Sequence, residues 1–111
     1  MLSPPDSRDK VPLLCIVVPC YNEEEVLPQS GSILASAVDN LIGKGKVSPD
    51  SRIIFVDDGS KDSTWDIIAS LHEGNHIFTG IKLAHNEGHQ RALYAGLMDA
   101  LDRGCDISVS I

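Results

Sequence analysis

The sequence predicts an α/β fold, a three-layer α/β/α arrangement around a mainly parallel sheet. Four short apolar stretches, at 13–18, 53–56, 77–83 and 107–111, alternate with three longer stretches of helical periodicity. The first two show no polar alternation, the pattern of strands covered on both faces. Every connection is long enough for a right-handed crossover between parallel strands.

Leu13-Leu14-Cys15-Ile16-Val17-Val18 reads as the first strand, and Pro19, which has no N–H, ends its ladder. Asn22 is placed to cap the following turn, with Glu23, Glu24 and Glu25 where acids favour a helix start. Pro28 suits the first turn of that helix. Ile33, Leu34, Ala37, Val38, Leu41 and Ile42 form its expected buried stripe, and Gly43-Lys44-Gly45 ends it. Ile53-Ile54-Phe55-Val56 is the second strand. Asp62 or Ser63 caps the second helix, with Trp65, Ile68, Ala69 and Leu71 or His72 facing inward. Ile77–Leu83 is a weaker third strand. A third helix from about His89 to Asp102 puts Leu93, Gly96, Leu97, Ala100 and Leu101 on the core side, and Gly104 caps it. Ile107–Ile111 is the fourth strand, and the chain stops within it. Residues 1–11 read as a mobile leader and 12–111 as one globular unit.

Composition narrows the function. The chain has 111 residues, 42% of them hydrophobic, and a formal net charge of −7 from 16 acids against 9 bases. Its basic residues are scattered rather than gathered into a stripe, which argues against nucleic acid as a partner. No run approaches the roughly 18–20 apolar residues that span a bilayer, and the first ten residues lack an apolar signal core. Cys15, Cys20 and Cys105 follow no paired spacing. Cys15 and Cys20 on one extended segment would stand about 16 Å apart, too far for a disulfide. Reduced thiols in a cytosolic setting are expected. The open edge of the last strand offers a route to homodimers by edge pairing.

The chemistry gathers where strands end. Pro19-Cys20-Tyr21-Asn22-Glu23-Glu24-Glu25 follows the first strand, Asp57-Asp58-Gly59-Ser60 the second, and His85-Asn86-Glu87-Gly88-His89-Gln90-Arg91 the third. Ligands of open α/β sheets bind at that edge, so the loops are expected to share a pocket. Tyr21 either stacks on a nucleobase or packs against the first helix. Side chains alternate along a strand, so one of Asp57 and Asp58 can face the pocket while the other binds the Gly59-Ser60 turn; alternatively both make only turn and cap contacts. Glu23 is the glutamate nearest the strand end. A site this acidic repels a diphosphate unless a cation such as Mg²⁺ or Mn²⁺ lies between them. Arg91 is the obvious cation for a phosphate, or else a partner for a surface acid. No P-loop and no Gly-x-Gly-x-x-Gly follows the first strand, and His85-x-Glu87-x-His89 is not the order of a zinc helix. There is no nucleophile elbow, and no cysteine has an activating neighbour in sequence.

Three blocks together, Ile16–Glu24, Val56–Thr64 and Asn86–Leu97, resemble family 2 glycosyltransferases. The third block is most similar to the branch of dolichol-phosphate mannose synthases and bacterial polyprenyl-phosphate glycosyltransferases. The resemblance runs from about Leu13 to Ile111. It implies that 12–111 is the N-terminal nucleotide-binding half of a GT-A (Rossmann-like) domain. It further implies transfer of a sugar from a UDP- or GDP-sugar donor to an acceptor, a polyprenyl phosphate or a saccharide. Pro19, Tyr21, Asn22 and Glu23 would lie against base and ribose, Asp58 on the base, and Asp57 and Gly59 beside it. Asn86, Gly88 and Arg91 would border the donor phosphates and the acceptor. The family's Asp-x-Asp metal motif follows the fourth strand. Catalytic residues and the ligands of Mg or Mn are therefore expected beyond Ile111, with no metal ligand in this chain. The setting implied is cytoplasmic, at the inner face of the plasma membrane.

Two other readings stand beside this one. A non-catalytic nucleotide-sugar-binding or interaction domain would have the same fold class. A receiver-type signalling domain needs an acidic pair after the first strand and an Asp after the third, where this chain has Ala84-His85-Asn86. On the glycosyltransferase reading, the 111-residue chain alone binds a nucleoside diphosphate weakly or not at all and transfers no sugar. Turnover of a nucleotide sugar by this chain would contradict that.

Overall fold

The computed structural model describes residues 11–111, so all but the last residue of the expected leader lies outside the described residues. The elements run β1 (Leu14–Cys20), α1 (Leu27–Gly43), β2 (Arg52–Asp57), α2 (Thr64–Gly74), β3 (Phe78–Lys82), α3 (His89–Asp102) and β4 (Ile107–Ser110). The strands form one parallel sheet in the order β3-β2-β1-β4. Cys20 pairs with Asp57, and Asp57 with Lys82, so the first three strands end level. Their exit loops therefore emerge side by side.

Each face of the sheet has its own core. Leu14, Ile16, Ile53, Phe55 and Phe78 pack with Leu27 and Val38 of α1 and Ile68 of α2. Cys15, Val17, Ile54 and Val56 pack with Ala92 and Ala100 of α3. This division makes the three layers, and it explains why β1 and β2 are apolar at successive positions.

All three helices turn differently from expectation. α3 meets the sheet through small residues four apart, Ala92, Gly96 and Ala100. A Cβ on Gly96 would stand 2.3 Å from Val17 Cγ1 and 3.0 Å from Val56 Cγ2. The helix lies so close that only its small face fits, and Leu97 and Leu101 point outward, Leu101 being 66% exposed. α1 begins at Leu27 and buries Leu27, Gly31 and Val38, with Leu34, Ala35, Leu41 and Ile42 packed beside them. Ile33 is 61% exposed and Ala37 is exposed as well. The stripe follows Gly31, against which Leu71 of α2 and Phe78 pack. In α2, Ile67 joins Trp65, Ile68 and Leu71 at the core while Ala69 and His72 are exposed.

The caps also separate. Val26 is the N-cap of α1 and makes no side-chain cap bond, so Asn22 does not cap that helix. Asp62 caps the start of α2, its Oδ1 accepting the Thr64 N–H at 2.9 Å and the Thr64 hydroxyl at 2.5 Å.

The cysteine expectation is corrected. Cys15 and Cys105, 90 residues apart, are joined in a disulfide with their Cα atoms 6.1 Å apart. Pairing of β4 with β1, Cys15 opposite Ser108, brings the turn after α3 beside β1. That proximity is a product of topology and leaves no spacing in the sequence. Cys20 is the free cysteine and is buried. Among the described residues no helix is long and apolar enough to cross a membrane. Thiol titration is expected to find no reactive cysteine in the native chain, one after unfolding without reductant, and three after reduction. Three thiols before reduction would contradict the pairing.

Candidate functional site

The second exit loop is the frame of the site. Asp57 is fully buried, and its Oδ1 accepts the Ser60 N–H at 3.0 Å, which closes the turn. Its Oδ2 has no hydrogen-bond partner among the described residues. Gly59 sits at φ 71°, a backbone region that L side chains avoid. A Cβ there would stand 2.3 Å from Asn86 N and from His85 C, so the turn and the third loop touch backbone to backbone.

Asp58, 4% exposed, points the other way. Its Oδ1 accepts the Glu87 N–H at 2.7 Å and its Oδ2 the Gly88 N–H at 3.2 Å. A buried carboxylate without partners is costly, and two amide donors satisfy this one. Gly88 shares its N–H with Asn86 Oδ1 at 3.1 Å. Asp57 thus holds its own turn and Asp58 holds the next loop.

The first exit loop is tied to the same frame. The Asp58 N–H donates to the Cys20 carbonyl at 2.8 Å. Asn22, in the left-handed region at φ 53°, accepts the Lys61 N–H on Oδ1 at 2.9 Å. Its own N–H donates to Ser60 Oγ at 2.8 Å, and the Glu23 N–H to Thr64 Oγ1 at 2.8 Å. Asn22 is a strut between the two loops.

Between the three loops lies an open cleft lined by Pro19, Cys20, Tyr21, Glu23, Asp58, Asn86, Gly88 and His89. Six residues singled out from the sequence meet there: Pro19, Tyr21, Glu23, Asp58, Asn86 and Gly88. Asn22, Asp57 and Gly59 stand outside that lining, in the framework described above. Arg91 is not brought in: its side chain is 79% exposed and lies 4.0 Å from Glu87. Sequence reasoning missed Cys20 and His89 as lining residues. Cys20 was legible as the residue between Pro19 and Tyr21 at the strand end. His89 was legible only once the helix start was fixed.

The cleft is not built for nucleophilic chemistry by its thiol. Burial, then the charges of Glu23 and Asp57, push the Cys20 thiol up to about 12, so it stays protonated near neutrality. Nor do the residues present fit a divalent cation. Among the described residues no group of three His, Cys, Asp or Glu side chains is placed to hold a metal.

Residues 15–103 match the model of Glycosyl transferase family 2. The chain belongs to this family. Among family 2 relatives, it is 52% identical over 103 residues to the Uncharacterized glycosyltransferase YkoT of Bacillus subtilis, covering 92% of this chain and 31% of that protein. It is 35% identical over 92 residues to an Undecaprenyl-phosphate 4-deoxy-4-formamido-L-arabinose transferase of Aeromonas hydrophila, covering 81% and 26%. A solved structure, the mannosyltransferase PcManGT from Pyrobaculum calidifontis in complex with GDP-Man and Mn²⁺, superposes with a TM-score of 0.62. It is 22% identical, and the likeness covers 82% of this chain and 25% of that one. The shared fold is the Rossmann-like N-terminal part of a GT-A domain, as the resemblance implied. The chain spans about a quarter to a third of the length of these relatives.

Two outcomes follow from this geometry. In Gly59→Ala, the left-handed backbone and the contact with His85 and Asn86 act together, and denaturant unfolding is expected to show a loss of at least about 2 kcal/mol. The Cys20 thiol is raised in the fold, so its contribution to stability is complete below pH 9.0 and is lost as pH rises from there toward about 12. Wild type should therefore lose up to about 1.4 kcal/mol per pH unit more than Cys20→Ser across pH 9–10. Parallel pH–stability curves would contradict the raised thiol.

Proposed function

We propose that this chain forms the donor-nucleotide half of a family 2 glycosyltransferase that moves a sugar from a UDP- or GDP-sugar to a polyprenyl phosphate. One observation carries the reading: Tyr21 and Asp58, from different loops, line one cleft. An aromatic ring and a fixed carboxylate are what a nucleobase needs, the ring to stack on and the carboxylate to accept a ring N–H. Uracil and guanine both offer such an N–H, and cytosine does not. Asp58 can accept it because each carboxylate oxygen has two lone pairs and spends one on an amide. Glu23 lies on the same cleft and is suited to accept ribose hydroxyls.

The acceptor class comes from relatives named undecaprenyl-phosphate and bactoprenol transferases. With such an acceptor the enzyme works at a membrane face from the cytoplasmic side. In the reaction, an acceptor oxygen attacks the anomeric carbon and the nucleoside diphosphate leaves. The residues of this chain bind the base, orient the ribose and fix the diphosphate end of the cleft. A divalent cation at the leaving group needs ligands other than those of this cleft, and no step performed by these residues runs through it.

In an active protein that carries this segment, Asp58→Ala is expected to weaken donor binding by ~1–3 kcal/mol, from the lost base contact and the released third loop. Titration calorimetry with the donor and with its free nucleoside measures it. Unchanged affinity for both would remove Asp58 from the site and the nucleotide reading with it.

A further inference from the structure

The third loop and its helix start carry three basic side chains, and one carboxylate engages two of them. His85 Nδ1 lies 2.7 Å from Glu87 Oε2, and Arg91 lies 4.0 Å from Glu87 Oε1. Both basic side chains are about three-quarters exposed, and neither lines the cleft. His89, the first residue of α3, does line it, alongside Tyr21, Glu23 and Asp58. Among the described residues its ring enters no hydrogen bond or ion pair. Of the eight lining residues it alone has a side chain able to carry positive charge.

The charge balance gives that placement a role. Glu23 and Asp58 make the cleft repel phosphate oxygens, while base and ribose are served by Tyr21, Asp58 and Glu23. A diphosphate entering the same cleft needs side-chain donors; Tyr21 and Asn86 offer neutral ones, and His89 is the one lining side chain that can add positive charge. An imidazole N–H donated to an anionic phosphate oxygen is a charge-assisted bond, about twice as strong as a neutral one. We propose that His89, and not Arg91, is the side chain through which this cleft holds the diphosphate of its ligand. The inference rests on the cleft being a nucleotide site and adds the residue that separates a nucleoside diphosphate from its nucleoside.

The test is a titration of an active protein that carries this segment with UDP and uridine, and with GDP and guanosine, in EDTA and followed by amide NMR shifts. Wild type is expected to prefer the diphosphate. His89→Ala should lower diphosphate affinity about tenfold while leaving nucleoside affinity within about twofold. His89→Gln, which keeps an N–H donor but not the imidazole, should fall between. Gly59 and Gly88 amide shifts that match wild type in the free variants show that the loops are intact. Equal losses for nucleoside and diphosphate, or no loss for either, overturn the role of His89 and leave the nucleotide reading standing. Wild type that binds neither ligand overturns both.

Discussion

The cleft depends on the carboxylate of Asp58 and the two backbone amides it holds. The third loop has no regular structure, and the N-cap of its helix is Gly88, at φ 101° and with no side-chain cap bond. The two N–H groups turn toward Asp58, which reaches across from the neighbouring strand exit. Burial at 4% exposure removes competing water and makes those bonds matter more than they would at a surface. Asp58 thus ties the loop to the sheet, in addition to the contacts of Asn86 and His85 within the loop.

The sheet can do this because its strands end level. The ladder continues past the strand ends, the Asp58 N–H reaching the Cys20 carbonyl and the Leu83 N–H the Asp57 carbonyl. Three loops that are distant in sequence leave from one line, and short side chains are enough to bridge them. Ser60, Asn22, Thr64 and Asp62 do so between the first and second loops.

Much of this was legible in the sequence. β1 and β2 were visible as unbroken apolar runs, and α3 spans His89–Asp102 as its periodicity suggested. Helix faces were less legible. Periodicity weighs leucine above alanine, whereas α3 packs through Ala92, Gly96 and Ala100 and leaves Leu97 and Leu101 outside. The Cys15–Cys105 bond joins residues that only the β4–β1 pairing makes neighbours. The clamp by Asp58 was invisible because its partners are amides, which every residue has. His89 and Arg91 are two positions apart on a helix, about 200° around its axis, so one faces the cleft while the other is turned to solvent.

The contact at Gly59 sets how the cleft can adapt to ligands of different size. On that side turn and loop meet backbone on backbone, so there is no rotamer to flip and no slack to take up. Tyr21, 40% exposed, is a side-chain wall of the same cleft. On the proposed reading, the Asp58 side of the cleft is a fixed wall against which a base is placed, and adjustment to a bulkier one falls to side chains such as Tyr21.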